Sequence, residues 1–531
     1  MNNALVHDLL FRSAAARPES VALRYGSQSV SYGAVADSIT VAMHGLRDIP
    51  IDKHDRVAVY LPKCPEAVVA MLAASAAGAA FVPINPLLKA EQVGYILRDC
   101  GVRVLVTSGD RFELLRSTLG QCAALRAVVV TSEAGAESMS GAAYQTMSWA
   151  ELGTGISSSS PHVVIDTDVA AILYTSGSTG KPKGVVLSHR NMVSGAVSVA
   201  QYLGNTAEDR LLAVLPFSFD YGFSQLTTAF SVGASVSLLD YLLPNDVIKA
   251  VVRDCITGLA GVPPLWVQLA QLKWPDEAAE TVRYITNSGG KMPRATLVRL
   301  REALPRSKVF LMYGLTEAFR STYLPPEELD RRPDSIGKAI PNAEIMVVRE
   351  DGAPCEAHEP GELVHRGSLV AMGYWNDPDK TAERFRPAPH RDPALVLPEM
   401  AVWSGDTVYR DAEGFLYFVG RRDDMIKTSG YRVSPTEVEE VVYASGLVAE
   451  CAAIGVPDER LGQAVVVIAV GEQANEDTTQ AIIAACRQHL ANFMVPSRIV
   501  WRDQLPRNPN GKIDRKTLAA ELGREANEGA K

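Results

Sequence analysis

The chain contains 531 residues, of which 47% are hydrophobic and 21% are charged, as is ordinary for a water-soluble globular protein. This length exceeds one ordinary core and predicts about three or four domains, or two unequal lobes. The net charge of −9 excludes the broad basic footprint that sequence-independent nucleic-acid binding needs, although a local basic pocket remains compatible with it.

Cysteine usage and the apolar segments bear on the cellular compartment. Seven widely spaced cysteines form no CxxC pair and no Cys/His cluster. This indicates a reduced, cytoplasmic protein without structural zinc, with cysteines buried as apolar residues. The N-terminus lacks the basic start and apolar run of a signal peptide. The most apolar stretch, 67–82, is short and broken by Ser75 and Gly78, so it predicts a buried helix leading into a strand rather than a transmembrane segment.

Strands alternate with helices through the first part of the chain. We predict strands at 56–62 and 103–107, a helix at 65–80 and a second helix near Ala90–Arg98. The alternation continues through the runs "LLAVLPF", "SVSLLD", "RYITNSGG" and "KVFLMYG". This pattern predicts an α/β fold with doubly wound sheets.

The pattern changes after residue 360. Short strands separated by Gly and Asp turns, as in "AVWSGDTVYRDAEGFLYFVG", predict a β-rich subdomain in which "DAEG" is a hairpin turn. From about Val441, two strands and a helix at 477–490 predict a separate small α+β domain. The charged segment "GRRDD" at 420–424 is the candidate boundary, which gives domains 1–422 and 423–531.

One loop carries an unusual concentration of chemistry. "LYTSGSTGKPKGVVLSH", from Leu173 to His189, places glycines, hydroxyls and two lysines between apolar segments. Glycine N–H groups, hydroxyls and lysine charge could together hold phosphate oxygens, and a flexible surface loop is the alternative. The Walker A pattern is not matched. "STGK" matches SxxK, which would make Ser178 a nucleophile beside Lys181, but the companion SDN and KTG elements are missing.

This loop is one of an ordered set of motifs that spans nearly the full chain. The others are "YGLTE" at 313–317, "WSGD" at 403–406, "GRRDDMIKTSGYRVSPTEVE" at 420–439 and "PRNPNGKIDR" at 506–515. Together with "YTSGSTGKPKGV", they resemble the AMP-forming adenylating superfamily, which includes acyl-CoA synthetases, nonribosomal adenylation domains and luciferases. The resemblance implies a large N-terminal domain that ends near Arg421 and a small mobile C-terminal domain.

The resemblance also implies a reaction. A carboxylate is a poor electrophile, so the family joins it to the α-phosphate of ATP, expels pyrophosphate, and then transfers the acyl group to a thiol with AMP as the leaving group. Cations and preorganised donors stabilise the charge on the phosphates. The implied cofactors are ATP, Mg²⁺ and coenzyme A, or a phosphopantetheine carrier in place of coenzyme A.

The family's nucleotide-binding residues carry over by position. The residues implied to hold the β- and γ-phosphates are Thr175, Ser176, Gly177, Ser178, Thr179, Gly180, Lys181 and Lys183. Gly289, Gly290 and Lys291 border the adenine and acyl pocket, although Lys291 departs from the small or acidic residue often found there. By the same resemblance, Tyr313 and Gly314 lie against the adenine base. Asp406 accepts hydrogen bonds from the ribose, and Arg421 lies near the ribose and phosphates.

The catalytic residues are implied in the same way. Thr316 contacts the α-phosphate, and Glu317 holds Mg²⁺. Lys512 matches the family's mobile catalytic lysine, which bridges the substrate carboxylate and the α-phosphate. Asp423 matches the hinge between the two catalytic states, and Gly430 matches the glycine where the thiol arm passes.

The acid pocket departs from the usual ligase pattern. "PFSFDYGFS" has Phe219 where many acyl-CoA and aryl-CoA ligases have histidine, and Asp220 follows. This stretch is closer to amino-acid adenylation domains, in which an Asp holds the substrate ammonium. A buried Asp needs a partner, so Asp220 either pairs with a substrate amine or has a structural role.

The leading hypothesis is a standalone acyl-CoA synthetase that acts on a small-molecule carboxylic acid. We expect it to take part in fatty acid metabolism. We expect no carrier or condensation domain beside it, so that the acceptor is coenzyme A or a separate acyl carrier protein. The alternatives are a freestanding amino-acid adenylating enzyme, an SxxK serine hydrolase and a non-catalytic nucleotide-binding protein. The presence of Lys512 argues against the last of these.

The implied hinge can be tested by restricting its backbone. Asp423→Pro is expected to impair one half-reaction, adenylate formation or thioester formation, more than the other, because proline fixes φ. The two half-reactions are measured separately on folded protein. Equal loss in both would count against domain alternation at this residue.

Overall fold

The computed structural model describes residues 5–131, 144–152, 162–175, 182–389, 394–421, 424–428, 431–458, 461–509 and 511–528. Its helices are α1 (Val6–Ala16), α2 (Tyr32–Asp48), α3 (Pro65–Ala76), α4 (Ala90–Asp99), α5 (Gly109–Leu119), α6 (Trp149–Leu152), α7 (His189–Leu203), α8 (Asp220–Val232), α9 (Pro244–Arg253), α10 (Pro263–Leu269), α11 (Asp276–Thr281), α12 (Arg294–Ala303), α13 (Pro378–Arg384), α14 (Pro435–Ala444), α15 (Glu476–His489) and α16 (Arg515–Glu528).

Three sheets are built from the strands, which are numbered along the chain. They are β1 (Val21–Tyr25), β2 (Gln28–Ser31), β3 (Arg56–Tyr60), β4 (Ala80–Pro83), β5 (Val104–Thr107), β6 (Ala127–Val130), β7 (Gln145–Ser148), β8 (Val169–Thr175), β9 (Lys183–Ser188), β10 (Arg210–Ala213), β11 (Ser235–Leu238), β12 (Gly258–Gly261), β13 (Tyr284–Asn287), β14 (Lys308–Tyr313), β15 (Thr322–Leu324), β16 (Ser335–Ala339), β17 (Ala343–Val348), β18 (Gly361–Gly367), β19 (Phe385–Pro387), β20 (Met400–Arg410), β21 (Leu416–Arg421), β22 (Ile426–Thr428), β23 (Tyr431–Val433), β24 (Glu450–Asp458), β25 (Gly462–Val470) and β26 (Arg498–Trp501).

The first sheet has the strand order β7-β6-β5-β3-β4-β8-β9, and only the β8–β9 pair in it is antiparallel. Helix α3 packs inside this part of the molecule, with residues 67–75 buried. The apolar stretch 67–82 is therefore a buried helix followed by strand β4, as the sequence predicts. In the part of the chain that the structure describes, no helix has both the length and the apolar character to cross a membrane.

The second sheet continues into the β-rich subdomain. Its order is β2-β1-β11-β10-β12-β13-β14-β15-β16-β21-β20-β18-β17, with β19 beside β20. The strands from β1 to β14 along this path are parallel, and those from β14 to β17 are antiparallel. The predicted α/β and β-rich subdomains are confirmed. No sequence pattern indicates that they share one continuous sheet, because strand neighbours here are far apart along the chain.

The small C-terminal domain is a third sheet covered on both faces. Its order is β23-β22-β25-β24, with β26 parallel to β25. One face packs against α14 and α15 through residues such as Val438 and Ile482, and the other packs against α16 through Leu518 and Leu522. The small α+β domain is thus confirmed, whereas its boundary at residues 422 and 423 lies outside the described residues and stays a prediction.

Strand β9 lies at the outer edge of the first sheet, and a later segment covers it. Met372 donates its backbone N–H to Val186, Val186 donates to Gly373, and Trp375 donates to Gly184, at 2.7–3.0 Å between nitrogen and oxygen. Residues 372–375, the edge-covering segment, therefore satisfy backbone groups that an edge strand would otherwise leave open. This segment also brings the Tyr374 hydroxyl to the Glu317 carboxylate.

The cysteines behave as apolar residues. All seven are free thiols, and six of them are buried, whereas Cys255 is exposed. Burial raises the pKa of Cys64 and of Cys100 to about 12. These two thiols are therefore protonated and unreactive at neutral pH, as expected for buried cysteine.

Two glycines with positive φ allow the cost of backbone strain to be compared with the cost of a steric clash. Gly337 has φ +85° and lies where an alanine Cβ would come 1.8 Å from the Tyr323 carbonyl oxygen, whereas Gly446 has φ +71° and open space around it. Gly446→Ala is expected to lower the free energy of unfolding by about 1–2 kcal/mol. Gly337→Ala is expected to lower it by more than about 4 kcal/mol, as measured by urea unfolding. Equal losses would mean that the backbone at Gly337 relaxes.

Candidate functional site

Several of the predicted site residues lie at the carboxyl ends of parallel strands β13 and β14. Tyr313 ends β14, Asn287 ends β13, and a glycine-rich turn with Gly289 and Gly290 follows β13. Open α/β sheets bind ligands at this edge. The turn is held by the Asn287 side-chain amide, which donates to the Gly290 carbonyl at 2.9 Å.

A tyrosine, an aspartate and an arginine form the first cluster. The Tyr313 hydroxyl donates to Asp406 Oδ2 at 2.5 Å, and Arg421 Nε lies 3.2 Å from Asp406 Oδ1. Strands β20 and β21 place Asp406 and Arg421 directly opposite each other. The Asp406 carboxylate raises the pKa of Arg421, and burial followed by Asp406 raises that of Tyr313.

One oxygen of Asp406 remains available as an acceptor. Asp406 is 4% exposed, and its Oδ1 accepts no hydrogen bond from the described residues, because the contact with Arg421 has ion-pair distance without hydrogen-bond geometry. A buried carboxylate oxygen with an open lone pair is costly unless a ligand supplies a donor. This open acceptor fits a hydroxyl-bearing ligand such as a ribose.

The turn after β14 presents Thr316 and Glu317. A 3₁₀ turn covers Thr316–Ala318. Thr316 Oγ1 donates to Asp220 Oδ1 at 3.0 Å, and Glu317 Oε1 accepts from the Tyr374 hydroxyl at 2.6 Å. Burial, and then the Glu317 carboxylate, raise the pKa of Tyr374. Tyr374 belongs to the edge-covering segment, so the first sheet is tied directly to this turn.

Lys183 approaches the same tyrosine. Its Nζ lies 5.3 Å from the centre of the Tyr374 ring, a cation–π distance. Thr175 and Lys183 are paired across β8 and β9, so they form the base of the connecting loop. Burial, and then Lys380, lower the pKa of Lys183.

Several predicted residues cannot be placed. Those that lie outside the described residues are Ser176, Gly177, Ser178, Thr179, Gly180 and Lys181 of the phosphate loop, and Asp423 and Gly430 of the hinge and thiol passage. Their roles stay predictions.

Lys512 reaches this cluster from the small domain. Its Nζ lies 5.5 Å from the centre of the Phe219 ring, and an alanine Cβ at Gly289 would come 3.0 Å from Lys512 Cε. The backbone N–H of Lys512 donates to Asn508 Oδ1 at 3.0 Å, and Asn85 Nδ2 donates to the Pro509 carbonyl at 2.6 Å. The Asn85 contact anchors the lysine-bearing segment to the large domain.

Opposing charges surround the Lys512 amine. Burial, and then repulsion by Arg421, lower the pKa of Lys512. The carboxylates of Asp220, Asp406 and Glu317 oppose that shift. The lysine of the small domain therefore stands among charged groups of the large domain, and its catalytic role stays a prediction.

Asp220 has partners within the protein. It starts α8, accepts from Thr316, and lies 3.5 Å from Arg320 Nη1 in a fully buried ion pair. The turn before α8 is tight, because an alanine Cβ at Gly222 would come 2.1 Å from the Pro216 carbonyl oxygen. Burial raises the pKa of Asp220, and Arg320 is the largest influence that opposes this shift. A substrate amine is therefore not required to balance Asp220, and its role in binding one stays a prediction.

Lys291 connects the two domains. Its amine lies 3.0 Å from Asp334 Oδ1 in the large domain and also pairs with Glu440 on α14 of the small domain. Lys291 was predicted to border the adenine pocket. The structure gives its amine carboxylate partners on both sides of the domain interface, whereas Gly289 lies against Lys512.

Sequence reasoning missed Arg320 and Tyr374. Arg320 comes three residues after Glu317, and this nearness to the "YGLTE" motif is the one sequence feature that points to the site. In the structure it lies close to that motif, because an alanine Cβ at Gly314 would come 3.6 Å from Arg320 Nη1. Tyr374 lies far from Glu317 in sequence, and no local pattern points to the contact. The described residues contain no group of three or more His, Cys, Asp or Glu side chains able to hold a metal ion by themselves.

Comparisons with known proteins identify the family of this chain. The AMP-binding enzyme family matches residues 10–375, and the AMP-binding enzyme C-terminal domain matches residues 437–512. A long-chain-fatty-acid–CoA ligase of Mycobacterium tuberculosis is 32% identical over 93% of this chain and 92% of its own length. The crystal structure of the anthranilate CoA ligase AuaEII in complex with anthranoyl-AMP has a TM-score of 0.88 and 25% identity, and covers 99% of this chain and 100% of that one.

A relative of another kind is much longer. One linear gramicidin synthase polypeptide of Brevibacillus parabrevis is 30% identical over 97% of this chain, but the chain spans only 10% of that protein.

The Tyr313–Asp406 contact can be tested by removing one oxygen. Tyr313→Phe is expected to raise the Kd for AMP about threefold to tenfold, the effect of losing one hydrogen bond that orients the acceptor. Tyr409→Phe on the same strand as Asp406 is the control, because Tyr409 stacks on Tyr417 instead. Calorimetric titration with AMP measures both variants, and an unchanged Kd for Tyr313→Phe would exclude this contact from nucleotide binding.

Proposed function

Because the chain belongs to the AMP-binding enzyme family, we propose that it is an ATP-dependent acid–thiol ligase that converts a carboxylic acid to an acyl-adenylate and then to a thioester, with coenzyme A as the acceptor. The observation that carries the proposal is the position of Lys512. An amine from the small domain reaches the Phe219 ring and the Gly289 turn of the large domain, beside the carboxylates of Asp220, Asp406 and Glu317.

The proposed first step joins the acid to the nucleotide. A carboxylate oxygen attacks the α-phosphorus of ATP, a new P–O bond forms, and the bond to pyrophosphate breaks. Both reacting groups are anionic, so their approach requires cations. We assign the Lys512 ammonium to the space between them. The Thr316 hydroxyl, which donates to Asp220, would give up that bond to donate to the phosphate. A single charge on a flexible stem suits a contact that is needed only during this step.

We assign nucleotide binding to side chains that offer a hydrogen-bond acceptor or a positive charge. Asp406 offers the ribose a buried oxygen that accepts no hydrogen bond from the described residues. Tyr313 fixes the other oxygen of that carboxylate, and Arg421 adds a cation beside it. We assign Lys183 and the loop 176–181 to the β- and γ-phosphates, since Lys183 stands at the base of that loop and faces the Tyr374 ring.

The residues present also fit a magnesium ion. Mg²⁺ favours one or two carboxylates together with substrate phosphates rather than a cage of protein ligands. Glu317 supplies such a carboxylate, with one oxygen fixed by Tyr374. When bound, the ion neutralises phosphate charge. Glu317 would hold it, and Tyr374 would orient Glu317.

A second candidate function is a freestanding amino-acid adenylating enzyme that loads a carrier protein. The similarity to linear gramicidin synthase favours it, whereas Asp220 is already paired with Arg320. Coenzyme A and a phosphopantetheine carrier present the same thiol chemistry, so the two functions differ in acceptor and in the acid. Family membership favours both over an SxxK hydrolase. Cytoplasmic location and a place in fatty acid metabolism stay predictions.

The proposal is tested at Lys512. Lys512→Ala is expected to lower acid-dependent pyrophosphate release about a hundredfold or more, because the developing charge loses its cation. ATP binding is expected to survive largely intact. Pyrophosphate release is measured across fatty, aryl and amino acids, with and without coenzyme A.

Lys516→Ala, on the exposed start of α16, is the matched control for removal of a lysine. Equal pyrophosphate release by Lys512→Ala and the unmodified protein would remove Lys512 from the mechanism. Release that no acid stimulates would contradict the proposed function itself.

A further inference from the structure

Arg320 is a buried cation with an unused edge. Its side chain is 2% exposed, and its Nε and Nη2 form no hydrogen bond with any described residue. A buried guanidinium rarely leaves donors unpaired, since each unpaired donor costs free energy. The Nε and Nη2 donors of Arg320 therefore need a hydrogen-bond acceptor, and no described residue supplies one.

The geometry of the pairing leaves a particular edge open. Nη1 faces Asp220 at 3.5 Å, and the guanidinium carbon lies over the Tyr221 ring at 4.6 Å from its centre. Nε and Nη2 stand on the same side of the guanidinium, so their N–H groups point in parallel. Such a pair matches the two oxygens of a carboxylate or the two lone pairs of one carbonyl oxygen.

The position of Arg320 connects it to the reacting end of the site. Phe219 and Asp220 are adjacent at the start of α8. The Lys512 amine faces the Phe219 ring, and Arg320 pairs with Asp220. Thr316, which also contacts Asp220, links the same spot to the Glu317 turn. One small acid could therefore place its reacting carboxylate near Lys512 and its other end at Arg320.

We propose that Arg320 is a specificity-determining residue, and that the preferred substrate is an acid carrying a second oxygen acceptor, a carboxylate or a carbonyl, away from the reacting carboxylate. This inference rests on the proposed ligase function and names its substrate class. Plain aliphatic acids leave Nε and Nη2 unpaired, so they bind less well. The Tyr221 ring and Asp220 hold the guanidinium in place before the acid arrives, which limits the entropy lost on binding.

The experiment compares matched acids. The kcat/KM for pyrophosphate release is measured with α,ω-dicarboxylic acids from succinate to suberate, with their monoamides, and with monocarboxylic acids of the same length. The unmodified protein is expected to prefer a diacid or a monoamide over the monocarboxylic acid. In Arg320→Met this preference ratio is expected to fall about tenfold to a hundredfold, the effect of losing charge-assisted hydrogen bonds. A diacid preference would identify a carboxylate partner, and a monoamide preference an uncharged carbonyl.

Charge balance requires a second variant. Arg320→Met leaves Asp220 unpaired in the interior, which could unfold the protein. The double variant Asp220→Asn/Arg320→Met removes both charges and is expected to show the same fall in the ratio. Arg332→Met is the matched control, because Arg332 is also buried, pairs with Asp411, and lies over the Phe415 ring at 4.1 Å. Its ratio is expected to stay unchanged.

Two outcomes separate this inference from the proposed function. Equal use of monocarboxylic acids and their matched partners, with acid-dependent pyrophosphate release intact, would overturn the role of Arg320 and leave the ligase standing. Calorimetric binding of glutarate and its monoamide in the presence of AMP provides a readout without turnover. Binding weakened by both Arg320 variants supports the inference even if no acid stimulates pyrophosphate release, and binding unaffected by them overturns it.

Discussion

A partly buried cation that opposing carboxylates favour is the constraint around which the site is arranged. Burial makes the charged form of Lys512 less favourable, and the neighbouring Arg421 adds to that effect. The opposing carboxylates stand on separate elements: Asp220 on α8, Glu317 on the turn after β14, and Asp406 on β20. Three distant parts of the large domain therefore supply the carboxylates that favour the charged form of the amine from the small domain.

This requirement connects charge to domain position. The Lys512 segment is anchored by the Asn85–Pro509 hydrogen bond, and α14 by the contact of Glu440 with Lys291. Lys291 follows the Gly289 turn against which Lys512 lies. Solvent-accessible ion pairs contribute little individually. Because the Lys291–Glu440 pair lies across the same interface as Lys512, a rotation of the small domain would break this pair and withdraw the Lys512 amine at the same time.

The sequence predicted the elements and motifs well but not the contacts between them. Strands β3 and β5 and helix α3 are indicated by continuous apolar runs, helices α4 and α15 by apolar residues at helical spacing, and the "DAEG" hairpin by its turn residues. The ordered motifs also identified Tyr313, Thr316, Glu317, Asp406 and Lys512, which the structure brings together. The Asp220–Arg320 pair, the Lys291 bridge and the Tyr374–Glu317 bond were not predicted, because each depends on how distant segments pack and not on a local pattern.

The edge-covering segment at 372–375 has a consequence beyond the site. Strand β9 ends the first sheet, and an uncovered edge strand is a template onto which a second chain can add. Backbone bonds from Met372, Gly373 and Trp375 occupy that edge, while Tyr374 between them holds Glu317. The same four residues thus protect the molecule from intermolecular strand pairing and support its acidic turn. A change that displaced this short stretch of backbone would therefore open the sheet edge and loosen the acidic turn at the same time.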